Sequence, residues 1–264
     1  MNQAALIDRV AGVLERIPGL GGAYLGGSHG RDEADAYSDV DIYVVVAEAD
    51  EIPERLARLE ESLDEMAPIL YSKVLPNART INCITMDWLR FDLTVVSGIE
   101  LAFVAGGAAK PLFDRLGLAD ALSATPPSTP GPVADALLEV VNEFIRVLGL
   151  SMVVRGREDL VVAQTGTNLL RDMLIRTMAM ENAPQPRRGV LALQHDLTPE
   201  QMAVLLDLPP LDATWASIFA RTRAIAEQFF PRARVLAEKL DAPWPETFER
   251  VTRKLLGDRI GLHI

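Results

Sequence analysis

The chain has 264 residues, 49% of them hydrophobic and 24% charged, a composition typical of a globular protein with a substantial core. The formal net charge is −11; up to Ala124 there are 20 acidic and 10 basic residues, a net of −10, which argues against DNA or RNA as a partner because phosphate backbones bind clustered Lys and Arg. No run approaches the ~20 apolar residues that cross a bilayer, and the N-terminus lacks a secretory pattern, so neither membrane association nor export is expected.

The first part of the chain mixes helical and strand patterns. In chain order, these are a helix over residues 2–17, a short strand in GAYLGG, a β-branched strand at Val40–Val46 and a helix that begins at Pro53. Three strand candidates follow, ILYSKV, TINCITMD and RFDLTVVS, and then PLFDRLG as a short element with a turn. Cys83 lies in the second of these strands as a buried thiol; as the single cysteine it excludes an internal disulfide and fits a cytoplasmic location.

A proline-rich segment separates this part from a helical one. SATPPSTPGP contains four prolines, which exclude a helix interior or a central strand. We therefore predict domains over residues 1–122 and 133–264, joined by a linker over 123–132. The second domain shows four helical patterns, and Pro231 is expected to kink or split the last of them. The predicted fold class is α+β, with a C-terminal α-helical bundle.

One segment, LGGSHGRDEADAYSDVDIYVVV, combines features that suit a phosphorylated ligand and a metal. Gly26 and Gly27 end a strand and let a phosphate approach the backbone N–H groups, while Ser28 adds a hydroxyl donor and is expected to cap a short helix. Asp39 and Asp41 are two residues apart in a strand, so their side chains share one face. Two such carboxylates repel each other unless a cation lies between them, and Mg²⁺ prefers oxygen ligands.

A third carboxylate completes the pattern. Asp92 is flanked by Phe91 and Leu93 in a later strand, and it would join Asp39 and Asp41 if that strand lies beside Val40–Val46. Three acids of this kind can hold two metal ions, one that activates an attacking oxygen and one that steadies a triphosphate. The pattern therefore indicates nucleotidyl transfer, in which an oxygen attacks the α-phosphorus and pyrophosphate leaves.

These motifs in this order resemble the nucleotidyltransferase superfamily typified by DNA polymerase β, and most closely its antibiotic-modifying branch. GSHGRDEADAYSDVDIY is similar to the lincosamide nucleotidyltransferases, and FDLTVV is similar to the aminoglycoside adenylyltransferases. The C-terminal MVVRGRED and NLLRDMLIR look like the helical domain of these enzymes. The resemblance implies a mixed β-sheet with helices in the catalytic domain, residues 1–122, and an acceptor-binding helical domain at 133–264.

The resemblance also implies roles for individual residues. Gly27 and Ser28 would bind the nucleotide phosphates, and Asp39 and Asp41 would be metal ligands. Asp92 would be a third ligand or the general base that takes the proton of the acceptor hydroxyl, although in some relatives the base is an acid elsewhere. Relatives often have an arginine soon after the serine. Here the nearest arginine is Arg31, which could still reach the phosphates.

Other polar residues have structural and functional interpretations. His29 contacts the nucleotide or is exposed, and exposure is favoured. Asn142 and Glu143 lie on one polar helix face, which is either solvated or in contact with the acceptor. Arg171 and Asp172 are interpreted as an internal ion pair.

The leading interpretation is a Mg²⁺-dependent enzyme that moves a nucleoside monophosphate, most simply AMP from ATP, to a hydroxyl of an aminoglycoside or lincosamide antibiotic. The expected partners are a nucleoside triphosphate, a small-molecule acceptor and, in the manner of such relatives, a second copy of the chain. One alternative is an adenylyltransferase that acts on a protein, as in toxin–antitoxin systems. Another is a catalytically silent binding module that keeps the fold, against which the three intact acids argue.

Overall fold

A computed structural model describes residues 1–104, 108–124, 134–182 and 193–264. The chain divides into two compact units, Met1–Ser128 and Thr129–Ile264. Of the predicted linker over 123–132, residues 125–132 lie outside the described residues.

The first unit contains a six-stranded mixed sheet. Its strands are β1 (Gly22–Leu25), β2 (Val40–Val46), β3 (Ile69–Val74), β4 (Thr80–Thr85), β5 (Arg90–Ser97) and β6 (Lys110–Asp114). Their order across the sheet is β3-β4-β5-β2-β1-β6, and only β2 and β5 pair in parallel. The segment PLFDRLG, expected to be a short element with a turn, thus supplies most of an edge strand.

Six α-helices and one 3-10 helix, Ala49–Glu51, accompany the sheet in the described part of this unit. The α-helices are α1 (Gln3–Arg16), α2 (Gly27–Gly30), α3 (Ile52–Glu61), α4 (Leu63–Met66), α5 (Gly98–Val104) and α6 (Leu118–Ala124). The predicted helix from Pro53 is divided at Ser62, which lies between α3 and α4. The sequence patterns missed α5 and α6, both of which have seven residues and too few turns to display a clear apolar stripe.

The two faces of the sheet have different roles. Alternate residues of β2, such as Val40, Ile42 and Val44, are buried in an apolar core with α1, α3 and α4. The intervening residues Asp41 and Asp92 of these central strands lie on the opposite face and are half-buried. Because β2 and β5 are neighbours in the middle of the sheet, this opposite face holds polar groups at its centre.

The second unit is helical as far as the structure describes it. Its helices are α7 (Ala134–Gly156), α8 (Leu160–Glu181), α9 (Leu193–Asp196), α10 (Pro199–Leu206), α11 (Trp215–Lys239) and α12 (Glu246–Ile260). Its core includes Phe144 stacked on Phe229, with ring centroids 3.6 Å apart. The predicted α+β class, a mixed sheet with helices followed by a helical bundle, is confirmed.

Of the two outcomes expected at Pro231, a kink or a split of the helix, the split does not occur. Helix α11 runs through Pro231 without interruption, although proline removes one backbone hydrogen bond. Phe229, Phe230 and Ala233 on both sides of it are buried. Burial of these apolar side chains offsets the lost hydrogen bond, so the helix continues. None of the described helices combines the length and the apolar character that a membrane crossing requires.

Candidate functional site

The glycines after β1 bring the backbone against a carboxylate of β2. The N–H of Gly26 donates to the carbonyl of Asp41 at 2.8 Å. Gly27 has φ of +52°, and a Cβ placed there would lie 1.9 Å from Oδ2 of Asp41. Only glycine combines this left-handed backbone with so close an approach. The turn and the Asp41 side chain therefore form one compact constellation.

Ser28 and His29 present buried polar atoms at this turn. The Oγ of Ser28 and the Nε2 of His29 have no hydrogen-bond partner among the described residues. Ser28 lies inside α2 and does not cap it, since the N-cap residue is Gly26 without a side-chain bond. The preference for an exposed His29 is wrong: the side chain is half-buried, and burial lowers its pKa against the opposing effect of Asp39. Unpaired buried polar atoms are costly, so these two atoms favour a polar ligand at this turn.

Two carboxylates lie at the start of β2. Asp39 directly precedes the strand and Asp41 is its second residue. The pKa of Asp41 is raised from its ordinary 3.8 to about 6, first by burial and then by the negative charges of Asp39 and Asp92. Arg31 and Arg90 oppose this shift without cancelling it. The centre of this face thus carries excess negative charge.

Asp92 lies beside Asp41 and is held by an amide. The parallel pairing of β2 with β5 makes Asp41 and Asp92 register partners. On the other side, Asn82 of β4 is the register partner of Asp92 and donates from Nδ2 to its Oδ1 at 2.7 Å. Burial raises the pKa of Asp92, the Asn82 hydrogen bond lowers it, and the charge of Asp39 raises it again. The structure therefore brings Asp41, Asp92 and Asn82 into one row across three strands.

Sequence reasoning missed Asn82. Its only sequence signal is that it is the polar residue between Ile81 and Cys83 in a strand whose alternate residues are buried. That alternation predicts the face on which Asn82 lies, but not the strand that it will meet.

Two arginines lie near the acids. Arg31, the predicted phosphate ligand, donates from Nε to Oε2 of Glu33 at 2.8 Å, and its charge lowers the pKa of Asp41. Arg90, which the sequence analysis did not single out, donates from Nη2 to the carbonyl of Tyr37 at 2.9 Å. Both are within electrostatic range of Asp41, so the site combines acidic side chains with cationic neighbours.

The described residues contain no group of three acidic, histidine or cysteine side chains placed as a ready-made metal-ligand set. The chemistry of the donors nevertheless fits a hard divalent cation. Asp39, Asp41 and Asp92 supply carboxylate oxygens, and after burial their mutual repulsion further raises the pKa of Asp41. A cation would relieve this repulsion.

The two predicted acceptor ligands belong to the second unit. Asn142 and Glu143 lie on α7, where both oxygens of Glu143 accept from Arg146 at 2.6 Å. This ion pair agrees with a solvated helix face, and contact with an acceptor stays a prediction.

A known protein family matches part of the first unit. Residues 7–88 match the family model for a nucleotidyltransferase domain, which confirms the predicted superfamily and the transferase class. No curated protein shows significant sequence similarity to the chain.

Two solved structures are similar over nearly the whole chain. An aminoglycoside 6-adenyltransferase from Bacillus subtilis is 15% identical with a TM-score of 0.46, over 97% of this chain and 98% of that one. A nucleotidyltransferase-like protein from Exiguobacterium sibiricum 255-15 is 15% identical with a TM-score of 0.36, over 98% and 88%. At these identities and scores, neither structure indicates a substrate for this chain.

Proposed function

We propose that this protein, a nucleotidyltransferase by the domain that residues 7–88 form, transfers AMP from ATP to a hydroxyl of a small molecule. One observation carries the proposal: Asp41 and Asp92 are register partners on neighbouring parallel strands, and the Gly27 backbone lies against Asp41. This arrangement joins a negatively charged centre to a turn that admits a phosphate group.

The turn after β1 would bind the triphosphate. The side chain of Gly27 is a hydrogen atom, so a phosphate oxygen can approach its backbone closely. The Ser28 hydroxyl is a buried donor without a partner in the part of the chain that the structure describes, and a phosphate oxygen would satisfy it. Arg31 would add positive charge after exchanging part of its contact with Glu33 for a phosphate oxygen.

Asp39, Asp41 and Asp92 would hold one or two Mg²⁺ ions. When bound, Mg²⁺ supplies positive charge that offsets the developing charge on the phosphate oxygens. The protein contributes carboxylates on a pair of neighbouring strands. Burial and then the charges of Asp39 and Asp92 raise the pKa of Asp41, and a bound cation would offset those negative charges.

Asp92 would either ligate a metal or accept the proton of the attacking hydroxyl. The Asn82 hydrogen bond occupies Oδ1 and leaves Oδ2 for this task. Such a bond fixes the carboxylate plane, which matters for proton transfer because a base must lie within hydrogen-bond distance of the proton it takes.

The acceptor we propose is an aminoglycoside or a lincosamide. Support comes from the motif GSHGRDEADAYSDVDIY and from the net charge of −10 up to Ala124, which favours a cationic acceptor through long-range attraction. Glu143 and Asn142 are proposed to contact the acceptor, and for Glu143 this requires release of Arg146.

The test is an incubation of the purified protein with Mg²⁺, each of the four nucleoside triphosphates and a panel of aminoglycosides and lincosamides. Pyrophosphate release and product mass are followed. We expect one acceptor to gain the mass of a nucleoside monophosphate in wild type and none to do so in Asp41→Asn.

The other results discriminate between functions. If a protein in place of an antibiotic gains the mass of a nucleoside monophosphate, the acceptor is a protein and not a small molecule. Absence of any binding of Mg²⁺ and nucleotide would overturn the enzyme and favour a silent binding module.

A further inference from the structure

Two arginines of the second unit, Arg171 and Arg221, lack counter-ions among the described residues. Within the described ranges, the arginines with a buried Nε that has no hydrogen-bond acceptor are Arg55, Arg171, Arg221, Arg232 and Arg253. Three of these arginines form ion pairs. Arg55 pairs with Glu51 and Glu54, Arg232 pairs with Glu181, and Arg253 pairs with Glu249. No carboxylate of the described residues lies within ion-pair distance of Arg171 or Arg221. The expected ion pair between Arg171 and Asp172 is therefore not formed.

Both arginines lie near the contact between α8 and α11. The hydroxyls of Thr167 on α8 and Thr222 on α11 are buried and 3.1 Å apart, which fixes the contact between the helices. Arg171 follows Thr167 by four residues, so the two lie on one side of α8, and long helical side chains lean back toward the preceding turn. Arg221 directly precedes Thr222. The two arginines are therefore carried by segments of α8 and α11 that pack on each other.

The charges of these groups act on each other. The pKa of Arg221 is lowered, first by burial and second by the positive charge of Arg171, and no acidic group contributes to the shift. Arg221 makes one neutral hydrogen bond, from Nη1 to the carbonyl of Pro209 at 2.5 Å. Two half-buried like charges destabilise the fold unless an opposite charge joins them.

We propose that Arg171 and Arg221 form a binding site for a phosphate-type oxyanion between α8 and α11. Each guanidinium group presents a planar fork of N–H donors that matches two oxygens of a phosphate. A phosphate dianion neutralises both arginines, whereas a single carboxylate neutralises only one. Both side chains are only half-buried, so a dissolved anion can reach them. The bound phosphate group belongs either to free inorganic phosphate or to a nucleotide.

The first test measures binding of inorganic phosphate to the full chain by calorimetry, with sodium chloride at matched ionic strength as the reference. Arg171→Gln and Arg221→Gln each remove hydrogen bonds to a charged ligand and should weaken phosphate binding by at least about tenfold. The control is Arg250→Gln, which removes the same charge from an exposed position on α12 and should bind as wild type does.

Additional measurements separate the two sources and guard against misfolding. To separate the two sources, ATP without Mg²⁺ is titrated into Asp41→Asn. Equal affinities for ATP and inorganic phosphate indicate that the site binds a free anion. Binding of ATP that is tighter than that of phosphate, and that is lost in Arg171→Gln, indicates that the site binds a nucleotide. If a Gln variant does not fold, Arg171→Lys keeps the charge but loses the fork, and weaker binding is again expected. Equal phosphate affinity in wild type and all arginine variants would overturn the site, as would no binding by wild type. None of these measurements requires catalysis, so the site stands or fails separately from the proposed transferase activity.

Discussion

Asn82 holds Asp92 by one hydrogen bond, 2.7 Å from Nδ2 to Oδ1, in the row that continues to Asp41. The bond stabilises the ionised form of Asp92 and therefore lowers its pKa, against burial, which raises it. An amide on one strand thus controls both the charge and the orientation of a carboxylate on the next.

We predict that Asn82→Leu reduces kcat by roughly 10- to 100-fold, because a hydrogen bond to a charged group contributes about 1.5–3 kcal/mol. Without this bond the pKa of Asp92 rises, so the acidic limb of the pH–kcat profile moves to higher pH. The profile is measured with saturating ATP and acceptor.

Thr94→Val is the matched control for Asn82→Leu. It removes the 3.1 Å contact between the Thr80 and Thr94 hydroxyls, on the same two strands, without touching Asp92. The pH profile of Thr94→Val should equal that of wild type. An unchanged profile in Asn82→Leu would mean that the amide does not act through Asp92.

Asp41→Asn should abolish activity and stabilise the metal-free fold. The folded-state pKa of Asp41 is about 6, above its ordinary 3.8, so the folded state binds the proton more tightly than the unfolded state. Binding of this proton therefore adds to the free energy of unfolding. This contribution is fully present below about pH 4 and is lost as the pH rises through about 6. At pH 7.5 the neutral Asn removes this cost, at most about 2–3 kcal/mol.

The measurement for Asp41→Asn is urea unfolding with EDTA at pH 4 and pH 7.5. A greater free energy of unfolding than wild type is expected at pH 7.5 only. An equal or smaller value at pH 7.5 would contradict the electrostatic account of Asp41.

The sequence predicted the local elements of the site better than their assembly. Strand β2 was predicted at its observed bounds because Val40–Val46 is apolar and β-branched, and β5 was predicted for the same reason. That the two strands lie side by side could be stated only as a condition, since their parallel pairing depends on a long crossover through α3, α4, β3 and β4. The hydrogen bond from Asn82 follows from that assembly and has no local signal.

Helix α12 shows the limit of hydrophobic periodicity. Its sequence ETFERVTRKLLGDRI is highly charged, and one of its few buried residues is Glu249. Arg234 and Trp244 donate to that carboxylate, both at 2.6 Å, and Arg253 lies 2.8 Å from it. A helix held by buried polar contacts lacks the apolar stripe on which sequence patterns depend.

Mg²⁺ with a nonhydrolysable ATP analogue should raise the Tm of wild type, because ligands that bind only the folded state stabilise it. Asp39→Asn and Asp92→Asn should each reduce this rise, since each removes a carboxylate from the proposed ligand set. Asp50→Asn, an exposed control that removes the same charge, should leave the rise unchanged. A full rise in Asp39→Asn would remove Asp39 from the ligand set.

Gly27→Ala should destroy activity through Asp41. Gly27 has φ of +52° and its added Cβ would lie 1.9 Å from Oδ2 of Asp41, so the carboxylate must move. Gly117→Ala is the control: φ is +70°, but the added Cβ meets no atom within 4 Å. Both variants should lose roughly 1–2 kcal/mol of stability for the left-handed backbone. Only Gly27→Ala should lose more than about 100-fold in kcat/KM, as misplaced catalytic groups do. Comparable kcat/KM values in the two variants would show that the position of the Asp41 carboxylate does not control the reaction.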